Sequence, residues 1–304
     1  MFDICSTARR VGLCLAATPR KARVPEHSKV VLITGCSSGI GHATAEVMAA
    51  SGHRVYATAR KPDAIADLAQ RGCHTLALDV TDEQSMRTAV AAVEEAEGAV
   101  GVLVNNAGYS QSGAVETLDM DDVRRQFETN VFGLIRMCQL VLPAMRARRS
   151  GRIINVSSMG GKLTFPGGGA YHATKHAVEA ISDALRFEVK GFGVDVVVIE
   201  PGLIKTQFAD TAKATIGADD DGGPYAKFNA AIAAATVEAY QGPLSRLGGG
   251  PETVAKTIEK AATAKRPRTR YPVTPSARLF IGQHALLSDR MWDAVAGTQF
   301  PRPE

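Results

Sequence analysis

An α/β fold, with a doubly wound parallel sheet and helices on both faces, is the architecture this sequence predicts, on three observations. Short, almost wholly apolar runs rich in Val and Ile recur along the chain, and stretches of helical spacing separate them. Strands that are apolar on both sides belong to a sheet covered on both faces, which means parallel strands joined by right-handed helical crossovers. No internal repeat or low-complexity segment breaks the alternation, so the 304 residues read as one domain carrying insertions.

The first strand is Val30-Val31-Leu32-Ile33. It runs into Thr34-Gly35-Cys36-Ser37-Ser38-Gly39-Ile40-Gly41, and Ile40, Ala43, Val47 and Met48 then recur at helical spacing up to Ser51-Gly52, where glycine suits a C-cap. Residues 54–58 form the second strand. Residues 63–70 read as a short helix and 73–78 as the third strand. Thr81, with Gln84 three positions on, has the pattern of a capping box opening the next helix. Residues 100–104 are the fourth strand. A long amphipathic helix over 121–149 follows, with a bend expected near Pro143.

Residues 153–156 give the fifth strand. The helix after it carries Tyr171, with Val178, Ile181, Leu185 and Val189 on one face, and 194–199 is the sixth strand. Two segments rich in Gly, Pro and Asp, 217–225 and 242–251, bracket a helix over 226–240. Residues 270–273 suit a final edge strand, where Pro272 is tolerable. This divides the chain into an N-terminal extension (1–27, disordered or processed) and a single catalytic domain (28–304), with a lid region at about 207–250 and a C-terminal helical extension.

Composition narrows the functional classes. A hydrophobic content of 45% with 22% charged residues suits a soluble globular body with a substantial core, and no apolar run reaches the ~18 residues of a membrane span. The net charge of +4 resides in residues 1–29, which leaves 29 basic against 29 acidic residues in the remainder. The body therefore has no charge signature for nucleic acid. Cys5, Cys14, Cys36, Cys73 and Cys138 are odd in number and lack ligand spacing, so they read as free thiols of a reducing, cytoplasmic compartment, with no metal site.

The glycine-rich turn between a strand and a helix is the context in which such glycines bind a dinucleotide. Gly35 permits the tight turn, Gly39 lets the backbone approach a pyrophosphate, and Gly41 lets helix pack on strand; the helix N-terminus then faces phosphate. The second strand ends in Ala59-Arg60-Lys61. An acidic residue here would hold the ribose 2′-hydroxyl of NAD, whereas Arg60 suits a 2′-phosphate. NADP(H) is accordingly expected in preference to NAD(H), which stays possible.

Tyr171 and Lys175 lie one helical turn apart on a shared face. A phenol titrates near pH ~10, and an adjacent ammonium lowers that value, making the tyrosine a usable acid and base. Asn105-Asn106-Ala107-Gly108, Ser157-Ser158, Tyr171 with Lys175, and Pro201-Gly202-Leu203-Ile204-Lys205-Thr206 all fall beyond the carboxyl ends of strands, where doubly wound sheets bind ligands. His172, His176 and Asp183 read as ordinary helix residues, since no G-x-S-x-G elbow accompanies them.

With these motifs in hand, the chain resembles the short-chain dehydrogenase/reductase family in its compact single-domain branch, from about Val30 to Thr206. The glycine run and the Arg60 turn look most like 17β-hydroxysteroid and retinol dehydrogenases. The resemblance implies a Rossmann-type fold and a catalytic set of Asn130, Ser158, Tyr171 and Lys175. Ser158 stands 13 positions, and Asn130 41 positions, before the tyrosine. Ser158 would hold the substrate oxygen, Tyr171 would exchange its proton, Lys175 would tune the tyrosine and bind the nicotinamide ribose, and Asn130 would position a water in a proton relay.

The implied cofactor site comprises Gly35, Ser37, Ser38, Gly39, Ile40, Gly41, Arg60, Asp79, Val80, Asn106, Ala107, Gly108, Tyr171, Lys175, Pro201, Gly202, Ile204 and Thr206. Within it, Asp79 and Val80 resemble adenine contacts, and Ile204 and Thr206 would hold the carboxamide. The substrate is expected to be a small apolar carbonyl or alcohol, steroid-, retinoid- or acyl-like. Tyr109, Met159, Leu163, Phe165 and Pro166 lie near the catalytic loops and Phe208 and Phe228 in the lid. The resemblance also implies a homodimer or homotetramer, paired through the long helix and the Tyr171 helix. The rival from another class is a redox sensor that binds the dinucleotide without turnover; an extended-branch epimerase or dehydratase would carry a different glycine pattern.

Overall fold

Seven parallel strands form one sheet in the order β3-β2-β1-β4-β5-β6-β7. The computed structural model describes residues 29–206, 223–298 and 300; the expected extension 1–27, Phe208 and most of the segment 217–225 lie outside them. The strands are β1 (Val30–Ile33), β2 (Arg54–Ala59), β3 (His74–Ala77), β4 (Val102–Asn105), β5 (Gly151–Val156), β6 (Val194–Glu200) and β7 (Arg270–Pro272). The Rossmann-type α/β architecture is as the alternation predicts.

The period-2 geometry of a strand sorts its residues between two cores. Val31, Ile33, Val55, Val104 and Ile199 face one side, against α1 (Gly39–Ala50) and α8 (Pro251–Thr263). Val30, Leu32, Leu103, Ile153 and Val196 face the other, against α3 (Glu83–Glu97), α5 (Gly133–Arg148) and α6 (Gly169–Val189). Both faces are covered, which is why the strands carry so few polar residues. On α6, Val178 and Val189 are fully packed, while Ile181 and Leu185 are half-buried.

Several elements depart from the sequence-based expectation. The short helix after β2 begins as a 3-10 turn at Pro62–Ile65, whose first residue supplies the φ that proline favours, and only then becomes α2 (Ala66–Gln70). The cap of α3 is Asp82 rather than Thr81: its carboxylate accepts from Ser85 N at 3.0 Å, while the Thr81 hydroxyl donates to Asp79 at 2.8 Å. The long helix is interrupted well before Pro143. Here α4 (Met120–Phe127) passes into a π-helical turn at Glu128–Phe132 and then α5, which continues through Pro143. The wide turn has a cause in its own side chain, described below. The helices α7 (Ala226–Gln241), α9 (Pro275–Leu286) and α10 (Asp289–Gly297) complete the described chain, and β7 is an edge strand containing Pro272 as expected.

Strand order reverses between β1 and β4, the point at which doubly wound sheets bind ligands beyond the carboxyl ends of their strands. No helix among the described residues is long and apolar enough to cross a membrane.

Candidate active site

A cavity of about 1430 Å3 opens at the carboxyl ends of the strands. Its base is the turn after β1. Gly35 and Gly39 both adopt positive φ (73° and 59°), which an L side chain resists. Gly41 is required for a different reason: a Cβ there would stand 2.2 Å from Gly35 O, so the helix could not close on the turn. Thr34 braces this turn from beneath. Its hydroxyl accepts from Asn106 N at 3.0 Å and Ala107 N at 3.1 Å, and the Asn106 amide donates to Thr34 O and Gly35 O at 3.0 and 2.9 Å. The loops after β1 and β4 are thereby locked together.

Of the residues expected at the cofactor, all but Gly41 line the cavity. Gly41 lies behind the turn and acts through backbone packing. Ser38, the N-cap of α1, makes no side-chain cap bond, so it does not cover the helix's first N–H groups. Exposed Arg60 and small Ala59 stand at the end of β2 on the cavity wall, with Asp79 and Val80 beside them. The Asp79 carboxylate accepts from Thr81 N at 2.9 Å, fixing the loop after β3. Gly202 packs so closely on α9 that a Cβ would meet Thr274 Oγ1 at 2.3 Å and Ser276 Oγ at 2.4 Å; Ser276 in turn accepts from Leu203 N. Open helix-terminal N–H groups, an unobstructed guanidinium and a groove floored by glycine fit a phosphorylated dinucleotide, which these residues would hold.

Ser158, Tyr171 and Lys175 line the same cavity. Ser158 Oγ accepts from Gly160 N at 3.0 Å and lies close enough to the Tyr171 phenol to favour its ionised form. Its neighbour Ser157 is buried with no hydroxyl partner among the described residues, close against Gly161. Burial holds the Tyr171 phenol above its usual range, with the Ser158 hydroxyl opposing that rise. The direction is opposite to the one expected from Lys175. Lys175 Nζ instead donates to Val156 O at 3.0 Å and stands 5.8 Å from the Tyr171 ring centroid, and burial lowers its own pKa to about 8. Desolvation here acts on both groups more strongly than their mutual attraction.

Asn130 sits in the π-helical turn, buried, and does not line the cavity. Its amide donates to Tyr109 O at 2.9 Å and Thr174 Oγ1 at 3.1 Å, and its oxygen accepts from Tyr109 N at 3.1 Å. Thr174 Oγ1 donates to Tyr171 O at 2.7 Å. The added residue of the π turn thus rotates a polar side chain into the gap between the loop after β4 and α6, where it saturates that loop's backbone. A Cβ on Gly108 would lie 3.0 Å from Asn130 Oδ1 and 3.7 Å from Lys175 Nζ, so the three residues converge.

His172 is more than a plain helix residue. It is buried against Gly160 and Gly168, its Nδ1 donates to Gly160 O at 3.0 Å, and burial depresses its pKa to about 4. Among the expected substrate-side residues, Tyr109, Met159, Phe165 and Pro166 line the cavity. Leu163 is core, and Phe228 packs edge-on against Tyr225. Sequence reasoning missed Ile232, Tyr240, Leu244, Phe280 and Phe300, which reach the cavity from α7, the turn after it, α9 and the C-terminal end. Their only signal was helical periodicity after residue 225, which does not say what a helix covers.

The profile of the short chain dehydrogenase family matches residues 29–217. The NADPH-dependent 3-dehydrocapnine reductase of Ornithobacterium rhinotracheale is 35% identical over 276 residues, covering 88% of this chain and 95% of that protein. The 3-ketodihydrosphingosine reductase of Bacteroides thetaiotaomicron is 37% identical over 267 residues, covering 86% and 94%. A crystal structure of a short-chain dehydrogenase from Streptomyces avermitilis superposes with a TM-score of 0.75 at 36% identity, covering 89% of this chain and 96% of that one.

Proposed function

This chain belongs to the short-chain dehydrogenase/reductase family and is an NAD(P)(H)-dependent oxidoreductase acting on CH–OH groups; from that premise we propose that it prefers NADP(H) and interconverts a carbonyl and an alcohol on an apolar substrate. The observation that carries the reading is the meeting of Ser158, Tyr171 and Lys175 in one cavity.

When bound, the nicotinamide supplies or accepts a hydride. Negative charge then develops on the substrate oxygen, and the hydroxyls of Ser158 and Tyr171 are the donors that stabilise it. Burial keeps Tyr171 protonated, so it serves as a stocked proton donor in the reductive direction; an alkoxide forming beside it is basic enough to take that proton. Lys175, charged below about pH 8, offsets the phenolate left behind. Asn130 holds the loop after β4 and α6 in register and is the family's candidate for positioning a relay water.

The NADP(H) preference is supported by Arg60 on the cavity wall with Ala59 in place of an acid, and by the NADPH dependence of the 3-dehydrocapnine reductase. The substrate class is supported by Phe165, Ile232, Leu244 and Phe280 in the cavity wall, and by two relatives named as reductases of 3-dehydro and 3-keto compounds. A body of acyl, steroid or retinoid type suits such walls, as in the 17β-hydroxysteroid and retinol dehydrogenase branch. We assign the protein to the cytoplasm, which suits the free, buried thiols of Cys36, Cys73 and Cys138. Pairing of copies through α5 and α6 is supported by exposed Phe132 and Phe187 beside and on those helices; sedimentation measures it. We further read the region of about 207–250, which includes α7, as the lid and residues 1–27 as an extension outside the catalytic domain.

The test is Tyr171→Phe. It should abolish NADPH oxidation on a panel of hydrophobic ketones and aldehydes while NADPH binding persists. A wild-type protein that binds NADPH and turns over nothing on that panel would favour a redox sensor instead.

A further inference from the structure

Helix α7 presents Ile232, Thr236 and Tyr240, four residues apart, to the cavity that Tyr171 lines. Two of the three are accounted for within the protein. Ile232 is buried against Gly167, and the Thr236 hydroxyl is occupied by Ile232 O at 2.8 Å. Tyr240 is not: its ring belongs to the cavity wall, and its hydroxyl makes no hydrogen bond with any described residue. Ala239, Leu244 and Phe280 line the same cavity, so its wall on this side is partly apolar. Burial raises its pKa to about 12, so it is a neutral donor at physiological pH, and its proximity disfavours ionisation of Tyr171. Tyr240 is half-buried and is not among the buried polar atoms left unsatisfied, so its hydroxyl opens into the cavity, where a ligand atom can take the bond that no described residue takes.

We propose that Tyr240 is a specificity-determining residue, its hydroxyl donating a hydrogen bond to a second oxygen or nitrogen of the substrate, close along the chain from the reacting carbonyl. The substrate class narrows accordingly to ketones with an apolar body and a hydrogen-bond acceptor beside the carbonyl, rather than plain hydrocarbon ketones. This rests on the carbonyl–alcohol reading of the same cavity. Two hydroxyls at fixed places, Tyr171 on the reacting oxygen and Tyr240 on the second atom, would set which face of the carbonyl receives hydride. An apolar wall alone discriminates such faces poorly, whereas a hydrogen bond to a defined atom is directional.

Two ketones of equal chain length test it, one unsubstituted and one carrying a hydroxyl β to the carbonyl, each assayed by NADPH oxidation and titrated calorimetrically into the NADP+-loaded protein. The wild type should favour the hydroxyketone by about tenfold in kcat/KM, the worth of one hydrogen bond. Tyr240→Phe should bring that ratio toward one, with the change in KM and in the calorimetric affinity for the hydroxyketone. A wild type without preference, a preference that survives Tyr240→Phe, or equal losses on both ketones overturns the proposal. Absence of turnover with either ketone would count against the reductase reading, and the calorimetric comparison would still decide the role of Tyr240.

Discussion

At the scale of single residues, burial sets the chemistry of this site. Lys175 is buried and its pKa falls to about 8, so its ammonium is present below that pH and lost above it. If the charge supports the phenolate, kcat for reduction should fall as pH rises through about 8, and a pH–rate profile would show the limb. In Lys175→Arg, whose guanidinium does not deprotonate in this range, that limb should vanish whatever the residual rate. His172 gives a stability effect of defined sign. Its folded pKa of about 4 lies below its unfolded value of about 6.5, so the unfolded chain takes up the proton first on acidification. The contribution is whole above pH ~6.5 and is lost as pH falls toward ~4, by about 3 kcal/mol. Denaturant titrations across that window should show this slope, flattened in His172→Gln.

At the scale of elements, close backbone contacts explain which substitutions the site refuses. Gly41→Ala would drive a methyl into Gly35 O at 2.2 Å, a backbone atom that cannot swing aside. The turn after β1 should open, with loss of dinucleotide binding measurable by fluorescence titration and little loss of far-UV helix signal. The π-helical turn depends on one side chain. Asn130→Ala leaves Tyr109 N–H without its partner and Tyr109 C=O with Gln126 Nε2 alone, which should cost about 1–3 kcal/mol in chemical denaturation. Sequence reasoning marked Asn130 through its spacing from Tyr171 but put the irregularity of the long helix at Pro143. A π turn leaves no residue signature, because it follows from what the side chain meets across the fold, here the loop after β4 and Thr174 on α6.

At the scale of the whole molecule, the Arg270 guanidinium adds a side-chain tie to the backbone pairing that holds β7 against β6. Arg270 meets Glu179 of α6 at 2.9 Å, Asp183 at 2.6 Å and Glu200 at the end of β6 at 3.3 Å, so it fastens the edge strand to the helix that carries Tyr171 and to the strand that leads into Pro201-Gly202. Burial and the neighbouring Glu179 raise Glu200 to about 7. Arg270→Met would leave buried Glu179 and Glu200 without this counterion, while exposed Asp183 keeps Arg186, and should cost about 3–5 kcal/mol, read as a lowered melting temperature. The deficit should narrow as pH drops below 7, since a protonated Glu200 needs no counterion.

By itself the sequence determined the alternation of strand and helix, the glycine turn and the order of motifs from Val30 to Thr206, because each of these is local: a period, a turn or a spacing. It also marked the positions at the strand ends, since a parallel sheet sends all its carboxyl ends to one side. Only the tertiary structure decided that burial raises the Tyr171 pKa, and that α7 and α9 line the cavity with Tyr240 and Phe280. Those outcomes depend on desolvation and on contacts between residues far apart in the chain, which no local pattern encodes.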